Sequence, residues 1–179
     1  MSHERPVLYL DFDGVLNDAA WGRSDERAAA INAYARANDC GKLHAMLQLA
    51  PVHDLRPQFV ARVARIIAET DARLIVCSSW RRGAVGMTDD DLHATLARVG
   101  LPFDGTTPRQ VHKLSVYDVR ELDIAAHVAT LPPGVRWCVL DDDVSEARFP
   151  GHVVRPDDGV TEADADQVTQ ILTAGEVTP

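Results

Sequence analysis

The chain has 179 residues, of which 46% are hydrophobic and 25% are charged, and its formal net charge is −9. The length fits one domain that can bury a proper core, and the composition is that of a globular rather than a disordered or fibrous protein. The negative charge argues against a broad electrostatic grip on a nucleic-acid backbone, so we expect no stable binding to duplex nucleic acid.

The apolar runs and the cysteines indicate in which cellular environment the protein works. No apolar run reaches the ~18 residues that a membrane span needs, and the first residues lack the charged-then-apolar pattern of a secretory signal. The cysteines Cys40, Cys77 and Cys138 are odd in number and form no CxxC pair, which argues against a disulfide framework. We therefore expect a cytoplasmic protein with no membrane contact, and we expect Cys77 and Cys138 to be small core residues.

The first predicted strand leads directly into an acidic motif. Residues 7–10 are apolar and rich in β-forming side chains, and Asp11, Asp13 and Gly14 follow at once. At the end of a buried strand, both carboxylates would face the crevice where open α/β sheets bind ligands. Two acids this close repel each other unless a cation lies between them or one is protonated. Since Asp and Gly are also ordinary turn residues, the motif alone does not distinguish a turn from a site.

The segment from about residue 18 to residue 53 is longer than an ordinary strand-to-helix connection. One helix is predicted from Ser24 through Ala37, and a second, short one over residues 41–49. We expect an inserted helical cap over the crevice. Its large apolar side chains fit the packing of a helical pair better than contact with a substrate; they are Trp21, Ile31, Tyr34, Met46 and Leu47.

Helices and strands alternate along the rest of the chain. Apolar periodicity and cap signals predict helices over residues 57–70, from Thr88 to Val99, over residues 118–130 and from Thr161 into the tail. Buried strands are predicted over residues 73–77 and 135–140, with a short one near residues 152–154. This alternation favours an α/β fold, with a Rossmann-like parallel sheet flanked by helices in one domain over residues 1–179.

Polar residues follow each of the three main predicted strands. Ser78 and Ser79 come after the second strand, and Asp141 and Asp142 after the third. Because the carboxyl ends of parallel strands lie at one edge of the sheet, we expect these residues to meet the first acidic motif. Several carboxylates without His or Cys partners suit a hard cation such as Mg²⁺, which also binds substrate phosphates. A carboxylate beside a phosphate can attack phosphorus and form an aspartyl-phosphate.

The motifs DFDGVLN, LIVCSSWR and VLDDD together resemble those of the haloacid dehalogenase-like (HAD) superfamily of Mg²⁺-dependent phosphatases. The motifs spread over roughly residues 7–172 of the chain. Four further segments are similar to the small bacterial and phage group related to phosphatase domains of RNA-repair proteins. They are SSWR, GTTP, Arg120-x-x-Asp123-Ile124 and Gly159-Val160-Thr161-Glu162.

The resemblance implies a role for each acid and serine that matches a family position. Asp11 matches the nucleophile, and Asp13 matches the general acid and base, whose backbone carbonyl is also expected on Mg²⁺. Ser78 matches the hydroxyl that binds the transferring phosphoryl group, with Ser79 as the alternative. The metal ligand matches Asp142, and the preceding acid, Asp141, is a supporting or alternative ligand.

Three basic residues and a glycine complete the predicted site. The family places a cationic side chain near the start of the helix before the last acidic strand, where it offsets the charge of nucleophile and phosphate. Arg120 has the better position and Lys113 the better side chain, so this role stays open between them. Arg81 is predicted to clamp a phosphate oxygen, and Gly14 is grouped with the phosphate-binding residues.

The sequence thus predicts a Mg²⁺-dependent phosphomonoesterase that works through an aspartyl-phosphate. Its expected substrate is a nucleotide or the phosphorylated end of a nucleic acid. One alternative is a phosphatase of a small phosphorylated metabolite, which the acidic net charge favours. Another is a non-catalytic binding module on the same fold, which is disfavoured because every acid of the motifs is intact. A mutase or a dehalogenase rests on fold analogy alone, and a dehalogenase has no need of Asp13.

Overall fold

A four-stranded parallel sheet forms the centre of the protein in the computed structural model, which describes residues 4–81, 87–108 and 116–174. The strands are β1 (Val7–Leu10), β2 (Arg73–Val76), β3 (Trp137–Leu140) and β4 (Val153–Val154). They lie in the order β2-β1-β3-β4, and each neighbouring pair is parallel. The predicted α/β class with a parallel sheet is therefore confirmed.

Seven α-helices lie within the described residues. They are α1 (Ala19–Gly22), α2 (Asp25–Ala37), α3 (Lys42–His53), α4 (Pro57–Thr70), α5 (Asp89–Arg98), α6 (Val116–Val128) and α7 (Glu162–Thr173). Three of them, α2, α5 and α7, begin at cap residues that the sequence signals. The Ser24 hydroxyl accepts a hydrogen bond from the backbone N–H of Arg27 at 3.1 Å, and both Thr88 and Thr161 form capping boxes. At these three helices, side chains within the first turn define where the helix begins.

Helices cover both faces of the sheet, which explains why its strands are continuous apolar runs rather than alternating ones. On one face, Leu8 and Leu10 pack in a cluster with side chains of α4, α5 and α7. On the other face, Val7 and Tyr9 pack against α6. All four of these strand side chains are fully buried. Successive side chains of a strand point to opposite faces, so β1 contributes side chains to the hydrophobic cluster on each face of the sheet.

The segment between β1 and α4 holds the helices α1, α2 and α3, and its two ends are joined by one polar cluster. The buried Asp54 carboxylate accepts hydrogen bonds from Nε and Nη2 of Arg27 at 2.8 and 2.7 Å, and from the indole N–H of Trp21 at 3.0 Å. The guanidinium of Arg56 lies 4.2 Å from the centre of the Trp21 ring. These contacts fix the base of the insert. That the insert covers the crevice as a cap stays a prediction.

The apolar side chains of the insert have mixed surroundings. Trp21 is buried in the cluster with Asp54, in line with the predicted packing role. Ile31 and Met46 line a groove of about 300 Å³ between α2 and α3, and Leu43 beside them is 67% exposed. Helix α2 buries none of its residues fully. The helical pair is therefore less tightly packed than the sequence suggests.

The buried cysteines are core residues, as their positions in the sequence predict. Cys77 and Cys138 are buried and free, and Cys40 is half-buried and free. Among the described residues, none of the helices combines the length and apolar character needed to cross a membrane.

Candidate active site

The candidate site lies at the carboxyl end of the sheet, where β1 separates β2 from β3. The chain forms β2 on one side of β1 and β3 on the other, and the loops that follow diverge around a crevice. Leu10 pairs in register with both Val76 and Leu140, so the three strand ends are level. The polar residues that follow these strands therefore come together, although they are far apart in the sequence.

Asp11 follows β1, the middle one of these three strands, and is only 1% exposed. Its backbone N–H donates to the carbonyl of Leu140 at 3.1 Å, which extends the pairing of β1 with β3 by one residue. Nη1 of Arg120 donates to Oδ2 of Asp11 at 2.6 Å. The other carboxylate oxygen, Oδ1, is buried and has no hydrogen-bond partner among the described residues. A buried carboxylate oxygen without a partner is costly, so it marks a place where a ligand belongs.

Asp141 is fully buried and its hydrogen-bonding capacity is largely used. Oδ1 accepts hydrogen bonds from the backbone N–H groups of Asp143 and Val144 at 2.9 and 3.1 Å. Arg120 Nη1 donates to Oδ1 and Oδ2 at 2.9 and 2.8 Å, and the Cys77 thiol lies 3.8 Å from Oδ2. Burial and the neighbouring Asp141 raise the pKa of that thiol, which stays a protonated donor. Asp141 therefore holds both the Arg120 side chain and the start of the loop after β3 in place.

Arg120 is the cation that the structure places between the buried acids. Its Nη1 atom alone reaches both Asp11 and Asp141. It projects from the second turn of α6. Lys113, the other residue considered for this role, lies outside the described residues.

The three acids at the strand ends carry more negative charge than Arg120 can offset. Burial, followed by the charge of Asp141, raises the pKa of Asp11 to about 7, although Arg120 and a hydrogen bond from the Ser78 side chain oppose the shift. Burial and Asp141 also raise the pKa of Asp142. Both shifts show that a further positive charge would be stabilised here.

The donor set fits a hard divalent cation. One oxygen from each of Asp11, Asp141 and Asp142 lies within 4.8 Å of the other two, and no His or Cys joins this group within the described residues. Oxygen-only donors suit Mg²⁺. Because Asp141 is already engaged by Arg120 and two backbone N–H groups, Asp11 and Asp142 are the acids best able to face a metal.

Because Gly14 has no side chain, there is room beside it for the carboxylate of Asp142. The backbone of Gly14 has φ +69°, and a Cβ atom there would overlap the carboxylate of Asp142. Any side chain would therefore displace the carboxylate, besides adding strain in the left-handed region. The predicted phosphate-binding role of Gly14 stays a prediction, since the group that lies against it in the structure is the Asp142 carboxylate.

Asp13 lies outside the group of three acids and is exposed to the crevice. Oδ1 accepts a hydrogen bond from Nδ2 of Asn17 at 2.9 Å, and Oδ2 accepts one from the indole N–H of Trp80 at 2.8 Å. Sequence reasoning missed these two donors, although both lie within the quoted motifs. Position in the motifs is the only signal that the sequence offers for them, because a hydrogen bond to Asp13 depends on the folded loops.

The two serines that follow β2 have different surroundings. Ser78 is fully buried and accepts a hydrogen bond from the backbone N–H of Trp80 at 3.3 Å, and its side chain is near enough to Asp11 to lower the pKa of that carboxyl. Ser79 begins a short 3₁₀ turn, Ser79–Arg81, and is half-buried. The contact with Asp11 favours Ser78 as the residue nearer to the chemistry.

Arg81 has surroundings different from those of an exposed phosphate clamp, and its predicted phosphate-binding role stays a prediction. The side chain is 1% exposed, and its guanidinium donates to the backbone carbonyls of Ser78, Thr107 and Cys77 at 3.0, 2.6 and 3.2 Å. It also pairs with the buried Asp123 at 3.5 Å. Arg81 therefore ties together loops beneath the site. A lone sequence cannot distinguish such an internal arginine from an exposed one.

A cleft of about 410 Å³ opens beside Asp13 and Asp142 towards the insert. Helix α1, the start of α2 and the loop before α7 form its walls, and six of its lining residues are aspartates: Asp13, Asp18, Asp54, Asp142, Asp157 and Asp158. Arg27 is the one basic residue among the described lining residues, and Asp54 already pairs with it.

Comparison with known proteins adds a family match to this geometry. The family model described as the HAD domain in Swiss Army Knife RNA repair proteins matches residues 7–165. No curated protein and no solved structure matches the chain significantly. The matched region includes all four strands and every residue of the acidic cluster.

Proposed function

Because the chain belongs to the family of HAD domains in Swiss Army Knife RNA repair proteins, we propose that it is a phosphomonoesterase that works through a phosphorylated Asp11. Membership supports a phosphatase-like function in general. One observation carries the finer proposal. The buried Asp11 carboxylate is held through Oδ2 by Arg120 and keeps Oδ1 without a partner among the described residues, in a group of acids that needs a cation.

Mg²⁺ is the proposed cofactor. Asp11 and Asp142 would hold the ion together with the backbone carbonyl of Asp13, and Asp141 would support them. When bound, the ion offsets the charge of the carboxylates and of the phosphate dianion and polarises the phosphoryl group. The excess of acids over the single guanidinium of Arg120 supports this assignment.

The proposed reaction has two displacements at phosphorus. In the first, a carboxylate oxygen of Asp11 attacks phosphorus and the bond to the leaving oxygen breaks, while Asp13 donates a proton to that oxygen. In the second, water attacks the aspartyl-phosphate and gives a proton to Asp13, and the bond between Asp11 and phosphorus breaks. Inorganic phosphate leaves, and both aspartates return to their starting states. Arg120 and Ser78 lie where they would stabilise charge on the nucleophile and the phosphoryl oxygens.

The family supports a nucleotide or the phosphorylated end of a nucleic acid as the substrate. The cleft supports a second candidate, a small phosphorylated metabolite. Six aspartates line it and Arg27 is already paired with Asp54, so its walls repel additional phosphates of a long strand. A salt titration separates the two candidates. Affinity for a substrate with several backbone contacts falls steeply with salt, whereas affinity for a single phosphate ester changes little.

The proposal is tested with Asp11→Asn and a generic phosphate ester in the presence of Mg²⁺. We expect loss of turnover with the fold intact, and the same loss when wild type is treated with a chelator. Asp143→Asn is the matched control, because this neighbouring side chain is exposed and lies outside the acidic cluster. Acid quenching of wild type during turnover should trap a labelled phosphoryl group that hydroxylamine releases. Undiminished turnover by Asp11→Asn refutes the proposal.

A further inference from the structure

The carboxylate of Asp13 is exposed to the crevice, yet it is held at both oxygens. Asn17 donates to Oδ1 at 2.9 Å and Trp80 to Oδ2 at 2.8 Å. An exposed aspartate needs no such partners, because water satisfies it and its side chain is free to change rotamer. The two contacts come from different loops, one after β1 and one after β2, so they fix the carboxylate relative to both strand ends.

Both partners can act only as donors here. The indole N–H of Trp80 has no acceptor capacity. The amide of Asn17 is oriented by its own turn, since Oδ1 accepts a hydrogen bond from the backbone N–H of Gly14 at 2.9 Å and leaves Nδ2 to face Asp13. The contacts therefore hold the Asp13 carboxylate at both oxygens and leave a further acceptor site on each oxygen.

The Trp80 ring is itself held firmly. It packs edge-on against the buried Phe12, with ring centroids 5.1 Å apart at 89°. Its backbone N–H donates to the Ser78 hydroxyl at 3.3 Å, and its carbonyl accepts a hydrogen bond from the backbone N–H of Met87 at 2.8 Å. A rigid donor of this kind is a means of keeping a reacting group in a productive geometry.

We infer that Trp80 is a positioning residue for proton transfer by Asp13, acting through its indole N–H, and that Asn17 shares this task. The inference rests on the proposed function, in which Asp13 protonates the leaving oxygen and later accepts a proton from water. Trp80 touches neither the leaving group nor the phosphoryl group in this assignment. Trp80 acts by holding the Asp13 carboxylate in position.

The test uses the leaving group of the substrate. An alkyl phosphate needs proton donation because an alkoxide leaves poorly, whereas an aryl phosphate such as p-nitrophenyl phosphate does not. The ratio kcat/KM reports the steps through the first displacement. Trp80→Phe keeps a ring against Phe12 and removes the N–H. We expect kcat/KM for an alkyl phosphate to fall about 10- to 100-fold and that for the aryl phosphate to fall less than about 3-fold.

The second displacement gives an independent readout. Asp13 activates water there whatever the leaving group was, so Trp80→Phe should lower kcat for both esters. Trp137→Phe is the matched control, because this indole lies in β3 and stacks on His152 at 4.0 Å, at the far end of the strand. Its kinetics with both esters should equal those of wild type.

The outcomes separate the inference from the function on which it rests. Equal falls in kcat/KM for both esters, or no fall for either, overturn the positioning role of Trp80. If Asp13→Asn itself shows no preference for the aryl ester, the proposed role of Asp13 is wrong instead. Should Trp80→Phe lose its fold by circular dichroism, Asn17→Ala removes the other side-chain donor to Asp13. The same change in the alkyl-to-aryl ratio is expected, and an unchanged ratio overturns the inference.

Discussion

Asp11→Asn should make the metal-free protein more stable while abolishing turnover. Asp11 is buried beside Asp141, and burial and that charge raise its pKa from 3.8 to about 7. An asparagine has nearly the shape of the protonated acid and carries no charge. The variant thus removes the cost of holding an ionised carboxylate in a dry site.

The magnitude follows from the shift in pKa. About three pKa units correspond to roughly 4 kcal/mol, because each unit is worth about 1.4 kcal/mol. This value is a ceiling, since the acidic cluster relaxes once one charge is gone. For a chain of this length, each 1 kcal/mol changes Tm by about 2–4 °C, so the ceiling of roughly 4 kcal/mol corresponds to an increase of at most about 8–16 °C.

The effect depends on pH with a definite sign. The folded protein binds a proton at Asp11 more tightly than the unfolded chain does, so the stability from this group is fully present below about pH 3.8. It is lost as the pH rises through about 7. The advantage of Asp11→Asn over wild type should therefore grow by roughly 2 to 3 kcal/mol between pH 5 and pH 8.

The measurement is urea unfolding of wild type and Asp11→Asn in chelator at several pH values. Asp143→Asn serves as the control and should follow wild type throughout, because its side chain is exposed. Addition of Mg²⁺ should stabilise wild type and should stabilise Asp11→Asn much less. A difference that does not change between pH 5 and pH 8, or a variant less stable than wild type at pH 8, refutes this reasoning.

Three further substitutions probe the surroundings of the site. Gly14→Ala should weaken Mg²⁺ binding at least about 10-fold by calorimetry, because the new Cβ occupies the space of the Asp142 carboxylate. Arg120→Lys should retain at least about 10-fold more activity than Arg120→Met, since one nitrogen makes every contact with the buried acids and an ammonium can replace it. Arg81→Met should cost about 3–5 kcal/mol in urea unfolding, because Asp123 loses a buried partner.

Controls in the same chain make these results specific. Gly151 also has a positive φ, of +75°, but a Cβ atom added there would meet no other atom within 4 Å, so Gly151→Ala reports backbone strain alone. Equal Mg²⁺ affinity in Gly14→Ala and Gly151→Ala contradicts the first expectation. Equal activity in the two Arg120 variants contradicts the second, and a wild-type unfolding curve for Arg81→Met contradicts the third.

The strands, the helices other than α1 and the identity of the acidic residues were predictable from local sequence. Apolar runs such as residues 73–76 and cap pairs such as Thr88 with Asp91 carry their information within a few neighbouring residues. The meeting of strand ends also followed, because parallel connections place every carboxyl end at one edge. These features depend on short-range chemistry and on a general rule of topology.

The roles of the arginines depended on the tertiary structure. Arg81 and Arg120 are the same type of residue, but Arg81 is buried beneath the loops and Arg120 bridges Asp11 and Asp141. Burial and partner choice arise from segments distant in the chain, which no local pattern encodes. The same holds for Trp80, whose contact with Asp13 joins residues 67 positions apart.

The acidic motif after β1 has some properties that the sequence determines and others that the tertiary structure determines. Sequence alone determined that Asp11 and Asp13 follow a buried strand, because the apolar run and the following glycine are local features. Only the tertiary structure determined that Asp11 is buried and has a raised pKa. It also determined that Asp13 is exposed and accepts hydrogen bonds from two N–H donors. The physical reason is that desolvation and hydrogen bonding depend on what the rest of the chain places around each carboxylate.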